Sequence, residues 1–183
     1  MRIITLSLFT IFFTFQVALC QSNPFGDSRK AMAEAVAKED TVAMAEIIKK
    51  EVTADSKLQD KNLCLLLVVD YGIMQSTKCL IEIGAEVDCV APKSGATPFL
   101  TVASRGYLNI TKYLLSEGAN INAKNIMAAN ALVLASRKGN IEMVKFLVEK
   151  GIDIHAKMDG GYNARDMAKG KEVKKYLKEI GLK

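Results

Sequence analysis

A sequence pattern recurs along the chain about every 33 residues, and this period constrains the fold more than any other feature. Pairs of glycines twelve residues apart recur at Gly72 and Gly84, at Gly106 and Gly118, and at Gly139 and Gly151. A copy nearer the N-terminus has Glu39 and Glu51 in these places, and the first positions are separated by 33, 34 and 33 residues. Because apolar residues between the pairs also match, the sequence predicts an array of structural repeats.

Each repeat has the pattern of two helices joined by a tight turn. Between the glycines of a pair the apolar residues follow helical spacing, as at Ile141, Val144 and Leu147. We expect the first glycine, such as Gly106, to have a positive φ, which costs a residue with a Cβ about 1–2 kcal/mol. The second glycine, such as Gly118, is typical of a helix C-terminus.

A further helix is predicted upstream of each glycine pair. In GATPFLTVASR, Thr97 can cap a helix and Pro98 suits its first turn. Each unit is therefore predicted to be a helix, a tight turn, an antiparallel helix and an extended segment such as GANINA at 118–123.

The stretch GATPFLTVASRGYLNITKYLLSEGANINAKN resembles the ankyrin repeat, whose usual form runs G-x-T-P-L-H-x-A…G…L-L…G-A-D-V-N-A. This resemblance covers residues 28–183 and implies an all-α solenoid of stacked helix-turn-helix units joined by extended hairpin loops. The implied units are approximately 28–57, 58–91, 92–124, 125–157 and 158–183. A tetratricopeptide array has a similar period but lacks the extended segment.

Four copies depart from the usual ankyrin form, beginning with the first unit, which has Glu39 and Glu51 in place of the glycines and resembles a cap. Asn130 and Ala131 replace the Thr-Pro pair in the fourth unit, and Leu63 and Cys64 occupy the same positions in the second. The last unit is about three residues shorter and ends in a lysine-rich helix, as terminal units that close a stack with a polar face do.

The first twenty residues have the composition of an export signal. A positive start is followed by thirteen uncharged, mostly apolar residues at 3–15 and by QVALC, typical of a secretory signal peptide. A membrane-spanning helix needs about 20 apolar residues, so we expect cleavage after Cys20 rather than a retained anchor. The mature chain would begin with a short leader at 21–27 and be periplasmic or secreted, without a membrane span. The alternative is a membrane-anchored lipoprotein with lipid attached at Cys20, although Leu19 does not fit that motif.

Neither catalysis nor metal binding is indicated by the polar residues. His155 occupies the place that Asn122 has in the preceding unit, which predicts a loop residue bonded to nearby backbone. Without Cys20 the cysteines are odd in number, and Cys64, Cys79 and Cys89 are interpreted as small semi-buried apolar residues. The sequence has no CxxC motif, Cys/His cluster or phosphate-binding loop, so we expect no enzyme activity, cofactor or metal.

The formal charge of +5 could suggest nucleic-acid binding, but lysines and glutamates alternate throughout the chain. This mixture is typical of solvated helical surfaces, so no nucleic-acid partner is expected.

In the ankyrin family, partners usually bind the concave face, through residues just before the first helix and at its end. The resemblance implies contacts by Asp70, Tyr71, Lys93, Ser94, Ser104, Arg105, Ile126, Met127, Arg137, Lys138 and Tyr162, with Gln59, Asp60 and Asn62 before the first helix of the second unit. Ile126 and Met127 are apolar where exposure is expected, and exposed Tyr, Arg and Met are residue types enriched at binding hot spots. A stripe along neighbouring units, formed by Tyr71, Arg105, Arg137 and Lys138, suggests a partner of some acidic character. The alternative is that the apolar side chains fold back onto the next loop and that the cations are a solvated edge.

The sequence therefore predicts a non-enzymatic protein–protein interaction module that is exported and binds an unknown protein on its concave face. The alternatives are an accessory protein that supports an envelope enzyme or binds a small ligand between units, and a secreted effector directed at a host.

Overall fold

A computed structural model of the chain describes residues 31, 34–35, 38, 40–52 and 58–182, so the predicted export signal and leader lie outside the described residues. The helices are α1 Thr41–Glu51, α2 Leu58–Asp70, α3 Met74–Glu82, α4 Pro98–Arg105, α5 Leu108–Ser116, α6 Ala131–Lys138, α7 Ile141–Glu149 and α8 Lys171–Glu179. The described residues contain no strand, and the predicted all-α solenoid is confirmed. Within these residues no helix has both the length and the apolar character that a membrane crossing requires.

The helices form two stacked layers. The pairs α2 and α3, α4 and α5, and α6 and α7 pack as hairpins, and the first helices α2, α4 and α6 stack in that order. Among the second helices, α1 packs on α3, α3 on α5, and α7 on α8. Every unit therefore contacts mainly its neighbours in sequence, as in a solenoid.

Helix starts are set by polar caps, including one where the usual motif is missing. Thr97 Oγ1 accepts a hydrogen bond from the backbone N–H of Leu100 at 3.3 Å, and Pro98 is the first residue of α4. In the next unit Asn130 Oδ1 accepts from the backbone N–H three residues later at 3.1 Å. Asn130 Nδ2 also donates to the carbonyl of Asp153 at 2.9 Å. Asparagine therefore retains the cap and adds a bond to the following loop.

The predicted positive φ angles are found at the repeat glycines. Gly106 ends α4 with φ +84°, and a Cβ there would collide with the side-chain amide of Asn140 in the next unit. Gly118 follows α5 with φ +90°, and the next N–H, of Ala119, donates to the carbonyl of Leu114 at 2.9 Å. This bond belongs to a Schellman motif. The other predicted turn glycines also have positive φ: Gly72, Gly84, Gly139 and Gly151.

The second unit begins its first helix earlier than predicted. Helix α2 has 13 residues whereas α4 and α6 have 8, so Gln59, Asp60 and Asn62 lie within the helix and not before it. Leu63 provides no capping oxygen at the usual position. Asn62 instead accepts from the backbone N–H of Glu86 at 2.8 Å and donates to its carboxylate at 2.9 Å, which fixes the extended helix to the loop.

The last unit has one turn, at 164–167, in place of a first helix. Asn163 Oδ1 accepts from the backbone N–H of Asp166 at 3.1 Å, and Asp166 Oδ2 accepts from that of Asn163 at 2.9 Å. Reciprocal capping of this kind is typical of the first turn of a helix. Gly170, with φ +88°, follows too soon for a second turn to form.

The interior is a continuous row of buried apolar side chains through the units. Leu100, Leu114 and Leu147 are fully buried, and burial of each such side chain contributes about 1.5–3 kcal/mol. In α8, Val173 and Leu177 continue the row, whereas its lysines are exposed. The last helix therefore has one apolar face toward the core and a polar outer face.

Candidate partner-binding face

The extended segments between units form three hairpin loops closed in the same way. The backbone N–H of the first residue donates to the carbonyl of the last, at 2.9–3.1 Å, in the pairs Ala91 and Ala96, Asn125 and Ala129, and Met158 and Tyr162. Because each loop has the same closure, equivalent residues of successive loops project at equivalent places on one surface.

Successive loop tips are joined to each other by backbone hydrogen bonds. The N–H of Ile126 donates to the carbonyl of Ser94 at 3.2 Å, and the N–H of Asp159 donates to the carbonyl of Met127 at 2.9 Å. These bonds hold the tips of the third, fourth and last units in one line.

Side-chain hydrogen bonds between successive units also recur in the extended segments that lead into the loops. Asp88 accepts from the backbone N–H of Asn120 at 3.1 Å, and one unit later Asn122 Oδ1 accepts from that of Asp153 at 2.9 Å. His155 has the equivalent position in the next copy and is exposed. Its backbone N–H donates to Asp153 Oδ1 at 3.0 Å, which agrees with the prediction of a loop residue.

The fourth and last units place apolar side chains in solvent at the tips. Ile126 is 68% exposed, Met127 45% and Tyr162 55%. Ile126 lies beside Gly95 of the preceding tip, where an added Cβ would be 2.8 Å from Ile126 Cγ2. Although the backbone of each tip contacts its neighbour, these side chains remain largely accessible.

The hairpin loop of the fourth unit, from Asn125 to Ala129, has a strained backbone. Ala128 has φ +56°, whereas the equivalent positions of the loops before and after it are Gly95, with φ +63°, and Gly161, with φ +83°. Ala128 is the only non-glycine residue among those described that has a positive φ. An alanine in this conformation is destabilised by about 1–2 kcal/mol, and the strain lies next to Met127.

At the ends of the first helices the structure pairs two of the predicted contact residues. Arg105 Nε donates to Asp70 Oδ1 and Arg105 Nη2 to Asp70 Oδ2, both at 2.8 Å. Tyr71, predicted to be exposed, is half-buried against the core with its hydroxyl oxygen buried. Ser104 is half-buried. The charge of Arg105 is therefore neutralised within the array, and Tyr71 offers little surface.

Farther along the array, the two cations at the end of α6 are not neutralised. Arg137 and Lys138 are exposed at the end of α6 and form no ion pair with any described residue. Lys169, which the sequence reasoning missed, is also exposed, and its backbone N–H donates to the carbonyl of Ser136 at 2.9 Å. Equivalence of Lys169 to Lys138 in the repeat was the signal that could have identified it. Lys93 and Ser94 are exposed on the third tip.

The second helices carry a periodic row of lysine–aromatic contacts that sequence reasoning also missed. Each lysine Nζ lies 5.5–5.8 Å from the centre of a ring on the next helix, in the pairs Lys78 and Tyr113, Lys112 and Phe146, and Lys145 and Tyr176. Such contacts contribute about 0.5–1 kcal/mol each at exposed sites. They link successive second helices to each other.

Two of the three described cysteines lie in environments that disfavour reactivity. Cys64 and Cys89 are buried free thiols and Cys79 is half-buried. Burial, and then the nearby Glu86 and Asp88 carboxylates, raise the pKa of Cys89 to about 12. Burial likewise raises the pKa of Cys64 well above its usual range. These thiols act as small apolar side chains, as interpreted from the sequence.

Two open indentations lie between units, where the small-ligand alternative would place its ligand. One lies between α1 and α3 beside Lys49 and Cys79, and the other between α5 and α7 beside Leu115 and Phe146. Both belong to the second helices and not to the loop-tip surface. Across the described parts of the chain, no cluster of three or more histidine, cysteine or acidic side chains could hold a metal ion.

Comparison with known proteins gives a family and two partial relatives. The family described as Ankyrin repeats (3 copies) matches residues 32–125 and again 65–158, which together are more than half of the chain. The chain is 36% identical over 72 residues to the B-cell lymphoma 3 protein homolog of Mus musculus, covering 39% of this chain and 16% of that protein. It is 30% identical over 115 residues to a putative ankyrin repeat protein of Acanthamoeba polyphaga mimivirus, covering 58% of this chain and 29% of the relative. The chain thus spans less than a third of either relative.

Proposed function

Because the chain belongs to the ankyrin repeat family, whose repeats are protein–protein interaction modules, we propose that it is an exported, non-enzymatic array that binds a protein partner on its concave face. The family generally acts through contact and not through catalysis. The binding face proposed here consists of the hairpin tips and the exposed ends of the first helices.

One observation supports this face above all others: the fourth and last units expose apolar side chains in loops that a backbone hydrogen bond joins. Ile126 and Met127 are exposed in one loop and Tyr162 in the next, and the N–H of Asp159 donates to the carbonyl of Met127 between them. Exposed apolar groups within a polar surface mark interaction sites, and aromatic and methionine side chains are frequent anchors there. The backbone bonds also hold this surface in place before binding, which lowers the entropic cost of association.

Photo-crosslinking in the native host tests this face. A photoreactive amino acid introduced at Met127 or Tyr162 is expected to give a discrete covalent adduct. The same amino acid at the exposed positions Glu142 and Lys174, on the second helices, provides the matched control. Adducts from the control positions alone would assign binding to the opposite side of the array and contradict the proposal.

Export is proposed from residues 1–20 and has its own test. The intact mass of the protein from its native host is expected to correspond to a chain that begins at Gln21, with no added lipid. A mass that includes Cys20 with acyl chains would replace export in free form by membrane anchoring and leave the binding face unaffected.

A further inference from the structure

We propose that the partner segment is an extended acidic stretch of protein with an apolar anchor, and that the fourth and last units recognise it. This inference rests on the proposed function and specifies the partner's chemistry. The anchor would occupy the tips at Ile126 and Met127, and the carboxylates would reach Arg137, Lys138 and Lys169.

The stacking register explains why these cations are available whereas Arg105 is not. Arg105 reaches back to Asp70, which lies two residues before the turn glycine of the preceding unit. Ser104 has the same position in the third unit and Arg137 in the fourth. By repeat symmetry, Lys138 therefore lies beside Ser104, which is neutral, and Lys169 lies beside Arg137, which is another cation.

The charge of whole units reinforces this local arrangement. Residues 92–183 contain 16 lysines and arginines against 8 acidic residues, whereas residues 58–91 contain 2 against 5. An acidic segment is therefore attracted to the C-terminal units and repelled by the second unit. Such asymmetry steers a charged ligand to one end of a surface.

Helix α6 leads from the loop tip at Met127 to the cation Arg137. Its length therefore sets the expected distance between the apolar anchor and the acidic residues of the ligand. Helix α6 has 8 residues and is therefore about 12 Å long. Residues Ala131–Ser136 of this helix are buried and uncharged, so its exposed charges lie only at its C-terminal end. An extended peptide advances about 3.3 Å per residue, so its anchor and acids would be separated by about four residues.

Defined peptides measure this recognition directly. The probes are fluorescein-labelled peptides in which a Leu-Phe pair and an Asp-Glu pair are separated by about four Gly and Ser residues, in either order. Controls have adjacent pairs, or lysines in place of the acids. Fluorescence anisotropy with the purified mature chain is expected to give saturable binding for one order of the spaced acidic peptide and at least about tenfold weaker binding for both controls. A single-stranded oligonucleotide is the probe for a phosphate-bearing partner.

Two variants separate a specific site from general attraction. Arg137→Glu is expected to weaken binding about tenfold, whereas Lys174→Glu, the same charge change on exposed α8, is expected to change it less than about twofold. Met127→Ala is expected to weaken binding by about fivefold through loss of the anchor contact. Circular dichroism melting establishes that each variant is folded.

Several results would overturn the proposal. Equal effects of Arg137→Glu and Lys174→Glu would reduce the attraction to net charge, and equal affinity for the lysine peptide would remove the acidic requirement. Tighter binding of the oligonucleotide than of the peptide, insensitive to Met127→Ala, would replace the protein partner by nucleic acid. Absence of peptide binding with an adduct from Met127 in the host would refute only this partner chemistry. Absence of both would also refute the proposed face.

Discussion

Replacing Ala128 with glycine should relieve a local strain that the rest of the fold imposes. Ala128 has φ +56° in a loop whose counterparts place Gly95 and Gly161 at the same point. Ala123, in the extended segment that leads into this loop, is also half-buried but has a negative φ. Ala123→Gly is therefore a matched control that changes the same atoms without a change in backbone strain.

The expected magnitude follows from the difference between the two variants. Each substitution loses one half-buried methyl group and adds flexibility to the unfolded chain, which together destabilise by about 1 kcal/mol. Only Ala128→Gly also removes about 1–2 kcal/mol of left-handed strain. Ala128→Gly should thus leave stability unchanged or raise it by up to about 1 kcal/mol, whereas Ala123→Gly should lower it by about 1 kcal/mol.

Urea unfolding followed by far-UV circular dichroism measures both free energies, since the chain has no tryptophan to report by fluorescence. The reverse change, Gly161→Ala, is expected to destabilise by about 0.5–1 kcal/mol, because φ is +83° there and no atom lies within 4 Å of the added Cβ. Equal decreases in the free energy of unfolding for Ala128→Gly and Ala123→Gly would show that the loop of the fourth unit does not have this strained conformation. That result would refute the reasoning.

Three further predictions test the pairing, the thiols and the core. A double-mutant cycle of Asp70→Asn and Arg105→Gln should give a coupling energy of about 0.5–1 kcal/mol, because the pair is bidentate but partly exposed; no coupling would mean that Arg105 is free to bind a partner. Near pH 8, Cys79 should react with a thiol reagent at least about tenfold faster than Cys89, whose raised pKa keeps it protonated, and equal rates by mass spectrometry would contradict the burial of Cys89. Leu114→Ala should destabilise by about 2–5 kcal/mol in urea unfolding, and a loss below about 1 kcal/mol would place Leu114 outside a shared interior.

The sequence predicted the features of the fold that depend on a few neighbouring residues. The cap at Thr97 and the turns at Gly106 and Gly118 are local, because their hydrogen bonds join residues at most five apart in sequence. The same reasoning placed the start of α2 wrongly. There the decisive contact joins Asn62 to Glu86, which lies 24 residues away in sequence.

The candidate face was predictable in its residues but not in their pairing. Ile126 and Met127 were identified because they are apolar in a loop. Recognising that Arg105 is neutralised required the register between stacked units, since its partner Asp70 is 35 residues away. The half-burial of Tyr71 against the core was not predicted either.

Residue-resolved hydrogen exchange tests the central claim, that the loop tips form one preorganised surface held by the stack. The amides of Ile126 and Asp159 belong to exposed residues, yet they donate to carbonyls of the preceding unit at 3.2 and 2.9 Å. Both amides should therefore exchange at least about a hundredfold more slowly than in an unstructured peptide, since opening must break contacts between units. Exchange of these two amides at peptide rates, with the helices still protected, would show that the tips are independent and that the proposed surface does not exist.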